Sequence, residues 1–369
     1  MTNEKKNSLL MIAPFPPPIT GQSFASNFLY EKIKNKFDIK IINYTRKDAI
    51  KKSKLNFDFI SKVIKIGSEI RLLAKKSDII YFTVSQSLLG NIKDLFFLFK
   101  IGKFNRKKTI IHLHGGYFDQ YLKNSPLLIK LLNKYFFKNI KAGIVLGDSL
   151  KKCFLPILPE NRIFVVHNFY QREYQITEEK FNSKWKNPEK INLLFLSNLM
   201  IEKGYLDLLD AFIALPQQIK DRLQLNFAGE FENEQNKSLF SDKIKNCNNI
   251  KYFGTVTGYQ KKEVLHNSHC FILPTYVSFG EGQPISIIES YASGLVVFST
   301  NHGGIRDIFK DGVNGIEIDK KSPESIKNAI ITFVENFLLY KNIAENNLIY
   351  SKEYDEDKFV NGIVNTFLS

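Results

Sequence analysis

Cysteine is scarce in this chain. Cys153, Cys247 and Cys270 are the three in 369 residues, and they stand far apart with no C-x-x-C spacing and no companion histidine cluster. That excludes a disulfide framework and a zinc site of the usual spacing, and leaves buried thiols as the expectation. Long apolar runs are missing too, none approaching the ~20 residues that a membrane-spanning helix needs. The opening Met-Thr-Asn-Glu-Lys-Lys-Asn leads into Ser8-Leu-Leu-Met-Ile-Ala-Pro, which prolines interrupt too soon for a secretory core, so a cytoplasmic chain is expected. No G-x-G-x-x-G follows the first strand-like run of either half, against a dinucleotide-dependent oxidoreductase. No aromatic-basic RNA motif or helix-turn-helix pattern is present, so no nucleic-acid partner is expected.

What is present is a soluble composition, 44% hydrophobic and 24% charged, in a length that exceeds one ordinary core. Two domains are expected. The net charge of +15 is unevenly spread: residues 1–170 carry 30 Lys and Arg against 11 Asp and Glu, a net of +19, and the remainder 22 against 26, a net of −4. A half so basic suggests an anionic partner, whether a membrane surface, nucleic acid or a phosphate-bearing substrate.

Short β-branched or aromatic runs alternate with amphipathic stretches, the pattern of a parallel sheet with crossover helices, and they do so twice. The first set of strands is Ser8–Phe15, Asp38–Tyr44, Asp78–Val84, Thr109–His114, Gly143–Gly147 and Arg162–His167. The second is Ile191–Leu196, Leu223–Ala228, Ile250–Phe253, Cys270–Pro274, Leu295–Ser299 and Gly315–Ile318. Helical spacing marks Phe24–Ile33, Ser125–Phe137, with Ser125 as N-cap and Pro126 in the first helical position, and Tyr205–Leu215. The expected division is a basic acceptor-side domain over 1–170, a polar linker over 171–190, a donor-binding domain over 191–344 and a helical tail over 345–369 packing back toward the first domain. Doubly wound domains bind ligands beyond the carboxyl ends of their strands, where helix N-termini offer amides to phosphates.

The most specific segment is Phe279-Gly-Glu281-Gly-Gln-Pro284-Ile-Ser-Ile-Ile-Glu289-Ser-Tyr-Ala-Ser-Gly294. Pro284 suits the first residue of a helix, which puts Glu281 in the preceding loop and Glu289 one to two turns inside. Two carboxylates so placed can accept hydrogen bonds from separate hydroxyls of one extended ligand while loop amides face its phosphates. An isolated Glu pair reads more plainly as a helix cap and a solvated side chain. Here Gly280, Gly282 and Gly294 frame the pair with backbone that a ligand can approach closely.

This segment resembles the retaining glycosyltransferases of the GT-B fold, in the group called family 4, which carry two glutamates separated by seven residues. The resemblance implies an α/β fold of two doubly wound, Rossmann-like domains facing across a cleft. Glu281 would hold the donor sugar's hydroxyls and Glu289 the ribose hydroxyls, with Gly282, Gln283, Pro284 and Ile285 lining the donor. In Leu196-Ser-Asn198-Leu-Met-Ile-Glu-Lys203-Gly204, Lys203 matches the family's diphosphate-binding lysine, and Asn198 stands where an arginine is usual. Arg306 is a candidate substitute. A plainer reading of Lys203 is a solvated lysine in the first helical turn. Gly21, after Pro16-Pro-Pro-Ile-Thr20, resembles the family's phosphate-facing loop, although such turns are common. His114, followed by two glycines at a strand end, matches the family's histidine near the transferred sugar.

The resemblance implies transfer of a hexose-type sugar, from a UDP-sugar before GDP-mannose, to a lipid-linked or polysaccharide glycan in bacterial surface polysaccharide synthesis. It implies a front-face route without an enzyme nucleophile, no cofactor and no metal. Asp355-Glu-Asp357 has metal-site spacing but reads as a solvated run in the tail. Asn91–Lys108 and Leu127–Lys138 interleave lysines with large apolar residues, which suggests peripheral docking on the anionic inner face of the plasma membrane. The rival readings are an epimerase or phosphorylase on the same fold, and a non-catalytic protein that binds anionic ligands.

Overall fold

A computed structural model describes residues 6–45, 57–278 and 280–369. Met1–Lys5 of the N-terminal segment and Phe279 of the motif lie outside these residues. The chain divides into two compact units, the first comprising Met1–His167, Glu281–Gln283 and Phe359–Ser369, the second Asn168–Gly280 and Pro284–Lys358.

The first unit holds a parallel sheet of β1 (Ser8–Ala13), β2 (Asp38–Asn43), β3 (Ile79–Thr83), β4 (Thr109–His112), β5 (Ala142–Val145) and β6 (Ile163–Val165), in the order β2-β1-β3-β4-β5-β6. The second holds β7 (Ile191–Leu196), β8 (Leu223–Ala228), β9 (Ile250–Tyr252), β10 (Cys270–Leu273), β11 (Val296–Ser299) and β12 (Gly315–Glu317), in the order β12-β11-β10-β7-β8-β9. These are the twelve runs expected from the sequence, each trimmed by no more than a few residues. The reason is burial on both faces: β3, β4, β5, β10 and β11 are buried at every position, so their centres are apolar. Edge strands β2 and β9 are mostly exposed.

Helix starts follow capping chemistry. Thr20 caps the helix Gly21–Ile33: the Ser23 amide donates to Thr20 Oγ1 at 3.1 Å, and the Thr20 amide donates to Ser23 Oγ at 2.8 Å. Two expected starts are one residue early. Pro126 and Pro284 are N-caps with extended ψ, and the helices begin at Leu127 and Ile285. Ser125 instead ends the helix Phe118–Asn124, its hydroxyl donating to the Tyr121 carbonyl.

The stretch 171–190, expected as a linker, folds into the second unit's core. Thr177 caps the helix Glu178–Trp185, whose Phe181 and Trp185 are buried. The Trp185 ring stacks on Phe337 at a centroid distance of 4.8 Å. Charge on the exposed face of this short helix is what disguised it. Asp355 and Asp357 both accept from Arg172, at 2.9 Å and 2.5 Å, and Asp357 is exposed.

In the first unit, Phe359 and Phe367 of the last helix, Glu356–Leu368, meet Phe28 and Phe37 at centroid distances of 6.4 and 6.0 Å. Among the described residues no helix is long and apolar enough to cross a membrane. Cys153 and Cys270 are buried thiols, and Cys247 is half-buried. Trp185→Ala is expected to destabilise the second unit by about 3–5 kcal/mol, the usual cost of emptying an aromatic site in a core. Urea unfolding followed by circular dichroism would show this as a lower midpoint.

Candidate active site

In a doubly wound sheet the strand order reverses at one point, and the loops leaving the strands there diverge to leave room for a ligand. That point lies between β1 and β3 in the first unit and between β7 and β10 in the second. Most of the candidate residues sit on loops that leave these strands or their neighbours.

In the first unit β1 leads through the Pro-rich loop to Gly21, the first residue of the capped helix. Strand β4 ends at His112 and continues into His114-Gly115-Gly116. His112 Nδ1 lies 2.7 Å from the Tyr81 hydroxyl, and the two imidazoles are 4.0 Å apart, centroid to centroid. Nε2 of each histidine is buried without a hydrogen-bond partner. Burial lowers the His114 pKa to about 4 and, with His114 beside it, holds His112 well below its ordinary value. Both rings are therefore neutral at pH 7.

Glu281–Gln283 groups with this first unit. The contact is backbone to backbone. A Cβ on Gly282 would lie 2.1 Å from the His114 carbonyl oxygen, and one on Gly116 would lie 2.5 Å from the Glu281 carbonyl oxygen. Any side chain at either position would force the main chain to move. Gln283 Nε2 lies 2.9 Å from His167 Nδ1, which also meets the Leu146 carbonyl at 2.9 Å. Gly282, Gln283 and Glu281 thus come together with His114, while Gly21 follows a different strand of the same sheet.

In the second unit Asn198 follows β7, and Lys203 closes a short 3-10 turn, Ile201–Lys203, rather than sitting in the first turn of a helix. Gly204 separates it from the helix Tyr205–Ile213. Only glycine suits position 204, since φ is +77° and a Cβ would lie 2.3 Å from the Pro274 carbonyl oxygen. The turn is strapped to the loop after β10: the Tyr276 amide donates to the Glu202 carbonyl at 2.8 Å, and Ser278 Oγ to Glu202 Oε1 at 2.9 Å. Lys203 is therefore held beside the loop that leads toward Pro284 and Ile285. Arg306 is exposed, and its Nε donates to Gly303 of its own turn at 3.1 Å.

Glu289 sits fully buried in the helix Ile285–Ala292. Lys261 Nζ is 2.6 Å from its Oε1, while Oε2 has no hydrogen-bond partner. Burial raises the Glu289 pKa, and Lys261 draws it part of the way back. A buried carboxylate oxygen left unpaired is costly, so a site like this calls for an outside donor. Lys261 was not foreseen, because nothing in its spacing from Glu289 marks it. His112, His167 and Tyr81 were missed for the same reason. Among the described residues no group of three or more His, Cys, Asp or Glu gathers as metal ligands do.

Residues 176–348 match the family described as glycosyl transferases group 1. An uncharacterised glycosyltransferase of Methanocaldococcus jannaschii is 28% identical over 279 residues, 73% of this chain and 68% of the relative. An N,N'-diacetylbacillosaminyl-diphospho-undecaprenol alpha-1,3-N-acetylgalactosaminyltransferase of Campylobacter jejuni is 26% identical over 66% of this chain and 65% of its own length. The matches thus span about two thirds of the relatives. Among solved structures, Anabaena HepE in complex with UDP and glucose superposes with a TM-score of 0.74 at 14% identity, covering 98% of this chain and 99% of that one. WaaG, a glycosyltransferase involved in lipopolysaccharide biosynthesis, gives 0.68 at 13%, covering 98% and 99%. Residues 176–348 resemble the glycosyl transferases group 1, the fold is that of the GT-B enzymes, and the chain is a glycosyltransferase.

Proposed function

We propose that this glycosyltransferase moves a hexose-type sugar from a UDP-sugar to a lipid-linked or polysaccharide glycan, with retention of anomeric configuration, in bacterial surface polysaccharide synthesis. The observation that carries the reading is the close backbone packing of Glu281–Gln283 against the His114–Gly116 loop, whose imidazole burial keeps neutral. A carboxylate and a neutral imidazole suit the hydroxyls of a sugar. HepE, of like fold, is known in complex with UDP and glucose, and the name of the Campylobacter relative specifies a diphospho-undecaprenol acceptor. Both support the choice of substrates.

In this mechanism Lys203 and the amides near Gly21 and Gly303–Gly304 stabilise negative charge as it grows on the departing diphosphate. The bond from the anomeric carbon to the diphosphate breaks as that carbon becomes oxocarbenium-like. The acceptor hydroxyl attacks from the same face, and its proton passes to the leaving phosphate oxygen. Glu281 and His114 orient the sugar, and Glu289 takes the ribose hydroxyls.

We also propose that the first unit docks on an anionic membrane surface. The helix Leu127–Phe137 buries only Asn133 and Phe137, while Leu127, Leu128, Leu131 and Tyr135 are exposed. Arg106 lies 5.5 Å from the Tyr135 ring centroid, and Phe104, 85% accessible, and Phe99 are exposed as well. Lys103, Lys107, Lys130, Lys134 and Lys138 are exposed among these apolar side chains. Lys93 is not part of this face, being buried against Asp94 and the Tyr44 ring. Apolar groups ringed by amines suit an interface of acyl chains and lipid phosphates.

Glu281→Ala and Lys203→Ala are each expected to lower transfer by about 10²–10³ at an unchanged melting temperature, the usual effect of losing a preorganised charge contact. Near-normal turnover at saturating donor would remove these residues from the site. Transfer is further expected to survive excess chelator, because Lys203 and backbone amides supply the positive charge at the diphosphate; a loss restored by Mg²⁺ or Mn²⁺ would contradict that. For the membrane face, sedimentation should show binding to anionic but not neutral vesicles, weakening as salt shortens the screening length. The variant Leu127→Ser/Leu128→Ser/Leu131→Ser should bind less. Equal binding to both vesicle types, or none to either, would assign the basic half to another partner.

A further inference from the structure

The Glu289 carboxylate is closed on both sides in the second unit. Lys261 Nζ holds Oε1 at 2.6 Å, and Oε2 is buried with no hydrogen-bond partner. Of the two side chains only Lys261 reaches solvent, 17% exposed against 1%. Its ammonium also lies 4.9 Å from the centroid of the buried Tyr174 ring. Tyr174 is itself fixed, its carbonyl lying 2.9 Å from His266 Nε2 and accepting the Ser293 hydroxyl at 2.9 Å. Lysine carries a compact charge on a flexible four-carbon stem, so it is the movable member of the pair. Lys261 is thus the member of the pair that meets solvent.

We propose that Lys261 is a positioning residue for donor binding: it holds Glu289 charged and oriented inside the second unit, and shifts on its stem to admit the two ribose hydroxyls of the nucleotide. This rests on the assignment of Glu289 to the ribose. The physical ground is that a carboxylate this deeply buried keeps its charge only beside a partner, and a neutral or turned-away Glu289 is a poor acceptor for a diol. Lys261 supplies the charge without occupying Oε2.

The test is calorimetric titration of the full-length protein with UDP and with 2′,3′-dideoxy-UDP. The wild type is expected to prefer UDP by about tenfold to a hundredfold, as hydrogen bonds to a charged group imply. Lys261→Met should lose most of that preference, and Lys261→Arg should keep it. A Lys261→Met protein that discriminates as the wild type does, at an equal melting temperature, overturns the proposal while leaving Glu289 in place. A wild type that binds both nucleotides equally overturns the Glu289 assignment instead. Should Lys261→Met not fold, Lys261→Met/Glu289→Gln leaves no stranded charge. That double variant should discriminate no worse than Glu289→Gln alone, and a further loss would show Lys261 acting independently of Glu289.

Discussion

The His114 carbonyl oxygen occupies the space in which a side chain at residue 282 would begin. Much of the candidate site depends on that exclusion. Because two main chains touch directly, Glu281 is placed by backbone packing and not by a long side chain finding one rotamer among many. The reciprocal contact at Gly116 makes the fit two-sided. The chain on either side of the segment is prepared for a three-residue excursion: Gly280 has φ +68°, and Pro284 turns extended before its helix starts. A site held this way resists small thermal displacement, which is what positioning a reacting sugar requires.

The remaining polar residues sort by charge. The two imidazoles at the end of β4 are neutral, since burial keeps both unprotonated. At Glu289 burial raises the carboxyl pKa and Lys261 draws it part of the way back, so the buried ion pair stands where an unpaired carboxylate would be prohibitive. The two settings come from different sheets. His114 follows a central strand and is covered by loop backbone, whereas Lys203 sits on a turn strapped to the loop after β10 by Glu202.

The central parallel strands were legible in the sequence because burial on both faces makes them mainly apolar. Helix starts were legible only to within a residue: Ser125-Pro126 and Pro284 show where a helix begins, but whether proline is N-cap or first residue depends on its ψ, which composition does not encode. The stretch 171–190 misled because a short helix with one buried edge, Phe181 and Trp185, shows mostly its charged face. Glu281, Glu289 and Lys203 could be picked out by motif and spacing. Lys261, His112 and His167 could not, since each acts through a neighbour that only folding supplies. The placement of Glu281–Gln283 in the first unit was hidden for a related reason, because a glycine's need for close approach does not name what approaches it.

On the proposed mechanism this sorting of charge has a direct consequence. A sugar leaving its diphosphate gains positive character at the anomeric carbon, and an imidazolium beside it would oppose that charge. A histidine held neutral to about pH 4 by burial can offer the sugar a hydrogen bond without raising the barrier. At the other end of the donor the demand is reversed. The diphosphate gains negative charge, and a lysine on a fixed turn answers it, while the ribose, which does not change during the reaction, is left to a carboxylate whose charge a second lysine maintains.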